Sequence, residues 1–256
     1  MDVYDSEAAR REEAAYRTPG AVERRRRVRE VLSPDTGDVV LSLGPGPGFE
    51  PAELANDYDI ESVIGVERSQ AMLALAAERC GADGDVKLLE GEATELPLAD
   101  ESVDVALSVQ VYGYVDALET ALTELARVLR PGGSAVVYVT DWETLVWRVG
   151  DPELAAKVSR TWKSHCVRPR LGSEMATPLR EAGFRIETVE PYTICNTTLD
   201  GTFAGRLVPE VRDHTAELLS RDAADAWECS VRARERAGRT FFSLSGSLYH
   251  VSKNVE

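Results

Sequence analysis

Lysine is nearly absent from this chain of 256 residues: Lys87, Lys157, Lys163 and Lys253 are all it has, against 44 acidic residues and a formal net charge of −15. That balance argues against a nucleic-acid backbone as substrate, since phosphate binding needs a basic face. The same acidic excess, with arginine as almost the sole cation, suits a protein kept soluble in a salt-loving organism, although a bias in coding composition would also favour arginine over lysine. Cysteine is scarce too. Cys80, Cys166, Cys195 and Cys229 form no C-x-x-C pair, so neither a zinc site nor a disulfide framework is expected, and no metal is called for. No apolar run approaches the roughly 18 residues that span a bilayer. No apolar leader follows Met1, so the reading is a soluble, cytoplasmic protein without a membrane partner.

What the chain does have is concentrated in residues 38–51, DVVLSLGPGPGFEP. A β-branched apolar run, Val39 to Leu43, leads straight into Gly44-Pro45-Gly46-Pro47-Gly48, and Glu50-Pro51-Ala52-Glu53 then reads as the start of a helix. A buried strand that ends in a loop almost free of side chains, at a helix N-terminus, lets a ligand approach the backbone. The dinucleotide fingerprint needs G-x-G-x-x-G, whereas here the spacing is G-x-G-x-G and Phe49 occupies the position after the third glycine. A second strand, Glu61 to Val66, closes on Glu67, near the ~20-residue spacing at which a carboxylate can take both hydroxyls of a ribose. Ser69 is placed to cap the Ala-rich helix that follows.

The glycine loop resembles that of class I S-adenosylmethionine-dependent methyltransferases, and further segments carry the resemblance in order. Gly65-Val66-Glu67-Arg68-Ser69-Gln70-Ala71-Met72-Leu73 is similar to the family's second-strand segment. Gly91-Glu92-Ala93-Thr94-Glu95-Leu96-Pro97 stands where the family shows G-D-A-x-x-L-P. Asp100 to Ser108 matches the fourth strand, and Leu122 to Gly133 ends in the family's R-P-G-G turn. The resemblance implies a Rossmann-like α/β fold: a seven-stranded, mostly parallel sheet with helices on both faces and a helical cap. It also implies S-adenosylmethionine as cofactor, with contacts at Ser42, Gly44, Gly46, Gly48, Glu67, Arg68, Met72, Glu92, Ala93, Thr94, Val109 and Gln110. One departure stands out. Ser42 occupies the position where the family most often has an acid, which leaves room for a substitute acid such as Glu50 or for a degenerate enzyme.

Four regions are expected: an N-terminal helical lid over 1–36, the cofactor-binding core over 37–195, a helical insertion over 196–238 forming the acceptor cap, and the last core strand over 239–256. The run Arg24 to Arg27 reads as a solvated helix face balanced by Glu12, Glu13, Glu23 and Glu30. Strand five is expected to end at Asp141-Trp142, and a single helix over 173–182. No general base announces itself. His165, Tyr16, Tyr114 and Asp141 are the candidates to line the reacting end, while Cys166 and Cys195 open a thiol-dependent alternative. The function expected is methyl transfer to a small-molecule acceptor. A non-catalytic cofactor-binding regulatory or scaffold protein and an NAD(P)-dependent oxidoreductase are the rival readings.

Overall fold

The computed structural model describes residues 6–81 and 84–255. Two helices, α1 (Ser6–Tyr16) and α2 (Pro19–Leu32), come first. They are followed by β1 (Val39–Leu43), α3 (Phe49–Asp57), β2 (Ser62–Glu67), α4 (Gln70–Cys80), β3 (Val86–Glu90), β4 (Val103–Val109), α5 (Leu118–Val128) and β5 (Leu129–Trp147). The second half comprises α6 (Pro152–Trp162), α7 (Leu171–Glu174), α8 (Ala176–Glu181), β6 (Phe184–Asn196), α9 (Phe203–Leu218), α10 (Arg221–Arg236) and β7 (Phe242–Lys253). Short 3₁₀ turns lie at Tyr112–Tyr114 and Lys163–His165.

The strands form one seven-stranded sheet in the order β3-β2-β1-β4-β5-β7-β6. All pairings are parallel except those of β7, which runs antiparallel to β5 and β6. The order reverses between β1 and β4, and ligands in open sheets of this kind bind outside the carboxyl ends of the strands at that reversal. The five residues of β1 are buried, as expected of a parallel strand covered on both faces. On one face α5 lays down Leu118, Ala121, Leu122, Leu125 and Val128, spaced as a helical stripe and all buried. A second core joins α6, α9, α10 and the ends of β5, β6 and β7 around Trp162, Leu207, Trp227 and Phe242. That core anchors the two helices inserted between β6 and β7 above the carboxyl end of the sheet.

Two element boundaries differ from the sequence reading. Strand β5 does not stop at Trp142; after a register shift between Asp141 and Val146 it regains pairing with β7 and runs to Trp147. The backbone hydrogen bonds that extend it come from a strand a hundred residues away, which local pattern cannot register. The stretch 173–182 is two short helices, Leu171–Glu174 and Ala176–Glu181, rather than one. Among the described residues no helix is long and apolar enough to cross a membrane.

Candidate functional site

The loop after β1 is shaped by its glycines. Gly44, Gly46 and Gly48 have φ of +63°, +54° and +82°, left-handed values that a side chain resists. A Cβ on Gly44 would strike the Val111 side chain, and one on Gly46 would lie 2.8 Å from the Tyr16 hydroxyl. Gly48 has a different task. It is the N-cap of α3, and its missing Cβ lets α4 approach, since that atom would sit 2.7 Å from the Ala76 Cα. The first two glycines therefore open a floor, and the third fixes the helix behind it.

Glu67 ends β2 with its carboxylate tied to this floor. Oε2 accepts the Gly46 N–H at 3.1 Å and Oε1 accepts the Ser69 N–H at 3.0 Å. Burial raises its carboxyl above the ordinary range, and the hydrogen bonds from Ser69, Gly46 and Arg68 oppose that rise. Ser69 caps α4 by accepting from Met72 N–H at 3.3 Å, which presents Met72 to the same space. Across the reversal, Gln110 follows β4 with φ +63°; its backbone N–H donates to Tyr138 O and its side-chain oxygen accepts the Thr140 N–H at 2.7 Å. The chain leaving β4 is thus pinned to β5 beside the glycine loop.

Above the floor lies a cavity of about 390 Å³, within the size range of small-molecule sites. Of the sequence-derived cofactor residues, Gly44, Gly46, Glu67, Arg68, Met72, Glu92, Ala93, Val109 and Gln110 line it. Ser42, Gly48 and Thr94 do not. Ser42 is buried within β1, whose alternation turns Leu43 to the cavity in its stead. Glu50 is no substitute at the wall either: it is buried in α3 with neither carboxylate oxygen partnered, and burial raises its carboxyl.

The N-terminal helices close one side. Tyr16 stacks on Phe49 with ring centroids 5.8 Å apart, and its hydroxyl lies over Gly46. The arginine run is not a solvated face, which corrects the sequence reading. Arg26 and Arg27 do face solvent, paired with Glu23, Glu30 and Glu190, but Arg24 and Arg25 are buried. Arg25 bonds to both oxygens of Glu53 and donates to Tyr16 O, locking the end of α1 onto α3. Arg24 lines the cavity with its guanidinium 5.0 Å from the Tyr138 ring centroid. Its Nε is buried without a hydrogen bond, and no described carboxylate lies within 4 Å of it. Glu12 is not a surface counter-ion either; it faces the cavity and Arg206.

The far wall is aromatic. Trp142, Trp162, His165, Tyr114 and Phe203 line it, with His165 stacked on Trp162 at 4.1 Å. His165 Nδ1 lies 2.5 Å from Trp162 O, which makes that nitrogen the donor; burial lowers its pKa to about 4. The ring is therefore neutral at physiological pH, and Nε2, 3.4 Å from the Tyr114 hydroxyl, accepts from it. Asp141, a candidate for this wall, does not reach it: the buried carboxylate accepts the Glu143 N–H at the β5 irregularity, and Trp142 faces the cavity in its place. The Cys166 thiol is buried and pushed up to about 11, which makes it an inert packing group rather than a nucleophile.

Arg24, Arg206, Glu210, Phe203 and Leu207 were not singled out from the sequence. For four of them a signal exists: Phe203, Arg206, Leu207 and Glu210 share one face of α9 at helical spacing, two charges set in the apolar stripe that packs inward.

Residues 41–137 match the family model described as a methyltransferase domain. An O-methyltransferase of Aspergillus nomiae is 30% identical over 167 residues, covering 63% of this chain and 70% of that protein. A transposon-encoded, uncharacterized protein of Streptomyces fradiae is 34% identical over 166 residues, or 64% of this chain, which spans only 48% of its length. Among solved structures, a Haemonchus contortus phosphoethanolamine N-methyltransferase in complex with S-adenosylhomocysteine aligns with a TM-score of 0.64 at 18% identity, covering 98% of this chain and 58% of that one, a likeness of fold. With its sheet order, its glycine floor under the cavity and these relatives, the chain belongs to the class I S-adenosylmethionine-dependent methyltransferases.

Proposed function

We propose that this protein transfers a methyl group from S-adenosylmethionine to a small-molecule acceptor enclosed between the sheet and its helical cover. The observation that carries the reading is the cavity itself, with a glycine floor that a Cβ would fill at one end and an aromatic wall at the other. The residues fit the cofactor group by group. Glu67 has two carboxylate oxygens at the end of β2 for vicinal ribose hydroxyls, Met72 and Ala93 offer apolar contact to a nucleoside, and Arg24, whose buried Nε has no hydrogen-bond partner, suits the carboxylate of an amino-acid tail. When bound, this cofactor supplies an electrophilic methyl group on a sulfonium. The chain's own part is alignment and exclusion of water, which can account for most of the acceleration of a displacement. Residues 6–32 act as the lid through Tyr16 over Gly46, and α9 and α10 act as the acceptor cap.

Calorimetric titration with S-adenosylhomocysteine tests this, with NADH as the control ligand. Binding of the former alone is expected. Glu67→Ala should weaken it about 10- to 150-fold, the worth of hydrogen bonds to a charged group. Unchanged affinity in that variant would remove Glu67 from the ribose, and NADH binding would overturn the reading as a whole. The protein is a cytoplasmic one of a salt-rich cell, a reading supported by its net charge of −15 and by cations that are nearly all arginine. Its unfolding temperature should accordingly rise between low and molar KCl, and a midpoint that does not move discards the habitat.

A further inference from the structure

One group of charges in the cavity lies outside the residues assigned to the cofactor. Arg206 and Glu210 stand one turn apart on α9, and Glu12 faces them from α1. Arg206 Nη2 lies 3.0 Å from Glu210 Oε1 and 3.9 Å from Glu12 Oε2, so one carboxylate from the cap and one from the N-terminal lid share one guanidinium nitrogen. All three line the cavity, and Phe203 and Leu207 beside them on α9 are apolar. Arg206 Nε, moreover, is buried with no hydrogen-bond partner. The molecule thus holds, side by side, an unused N–H donor and a carboxylate acceptor at the end of an apolar chamber.

That pair is the complement of a hydroxyl group, which has one proton to give and lone pairs to receive. An ammonium has only donors; it would leave the Arg206 Nε unpaired and would add a cation beside a guanidinium. Resting on the methyltransferase reading, we propose that Glu210 is the general base for methylation of a hydroxyl on an aromatic or other apolar acceptor, with Arg206 steadying the developing oxyanion and Glu12 tuning the base. In the transfer, the acceptor oxygen forms its bond to the methyl carbon and the carbon–sulfur bond breaks with its electron pair passing to sulfur. The hydroxyl proton goes to the Glu210 carboxylate. Cationic sulfonium and anionic carboxylate become neutral thioether and neutral acid, so the charge pair is discharged within the cavity.

The electrostatics agree with this role. Burial first, and then the charge of Glu12, raise the Glu210 carboxyl to about 7 against the opposing pull of Arg206 and Arg11. Glu12 is also raised, by burial first, against Arg206 and Arg24. Glu12 and Arg11 from α1 and Arg206 from α9 thus act on Glu210 directly, and Arg24 from α2 acts through Glu12. A base that titrates near the working pH is the efficient one, and two carboxylates that share one cation cannot both ionise freely.

The test is binding, so it needs no knowledge of the natural acceptor. S-Adenosylhomocysteine is bound first; if wild type fails to bind it, the methyltransferase reading falls and not merely this inference. To that complex 2-naphthol and 2-(aminomethyl)naphthalene are titrated in turn from pH 6 to 8. The naphthol is expected to bind at least about tenfold more tightly than the amine, and to tighten as pH rises and Glu210 ionises. Glu210→Gln should flatten that pH dependence while S-adenosylhomocysteine affinity holds, and Glu12→Gln should move its midpoint to lower pH. Preference for the amine, equal binding, binding of neither, or a pH dependence that survives Glu210→Gln would each overturn the assignment.

Discussion

Gly48→Ala is expected to destabilise the protein by about 3 kcal/mol or more, a fall of roughly 6–12 °C in unfolding temperature for a chain of this size. The two causes are separate and both fall on the backbone. At φ +82° an alanine costs ~1–2 kcal/mol relative to glycine. The added Cβ would also lie 2.7 Å from Ala76 Cα and 2.8 Å from its Cβ, so α4 must move as a rigid helix rather than by a side-chain swing. Because α4 carries Ser69 and Met72 to the cavity, the displaced helix should also weaken S-adenosylhomocysteine binding. Thermal denaturation with and without ligand reads both effects. A variant as stable as wild type would mean that α3 and α4 are not in the close contact described. The counterpart without the clash is Gly238→Ala: its Cβ would meet nothing within 4 Å, so only the backbone term at φ +63° remains.

The contrast between the third glycine and the first two also marks what the sequence could tell. The strand, the loop and the following helix were legible because glycine spacing and β-branched runs are local signals, and the place of Glu67 beside the loop was legible because its distance from it reflects one βαβ unit. The aromatic half of the cavity was partly legible: Tyr16, Tyr114 and His165 were named and do line it, while Asp141 was misassigned by one residue because a strand irregularity decides whether it or Trp142 turns inward. The charged residues were the least legible. A run of four arginines among glutamates has the composition of a solvated face, and nothing within the run says that two of its guanidiniums are covered by Tyr138, Phe49 and Glu53, which come from other elements. Glu12 was read as one of their surface partners for the same reason. Its meaning depends on Arg206 and Glu210, almost two hundred residues further along, so only the folded chain brings out the site.

Arg24→Met should separate binding from stability in opposite directions. A guanidinium that is 7% exposed, with its Nε unpartnered and no described carboxylate within 4 Å, is a cost to the free protein. The cation over the Tyr138 ring recovers part of that cost, but such a contact is worth only about 2 kcal/mol when desolvated. Methionine keeps most of the length and the packing against the ring while removing the charge. The free variant is therefore expected to be as stable as wild type or more so. Cofactor binding should move the other way, since the amino-acid tail brings a carboxylate into contact with a cation whose acidic neighbours Glu12 and Glu50 make no ion pair with it. Truncating one partner of a buried charge pair costs about 2–5 kcal/mol, so affinity for S-adenosylhomocysteine should fall at least ~30-fold. The decarboxylated analogue, which lacks the group Arg24 would hold, should bind both proteins alike. Affinity for S-adenosylhomocysteine within about threefold of wild type would place the tail elsewhere in the cavity. A variant that lost stability along with binding would mean instead that Arg24 holds the lid through a contact of its own. The combination expected, a free protein at least as stable and a ligand complex much weaker, is what distinguishes a binding residue held at a cost from one that supports the fold.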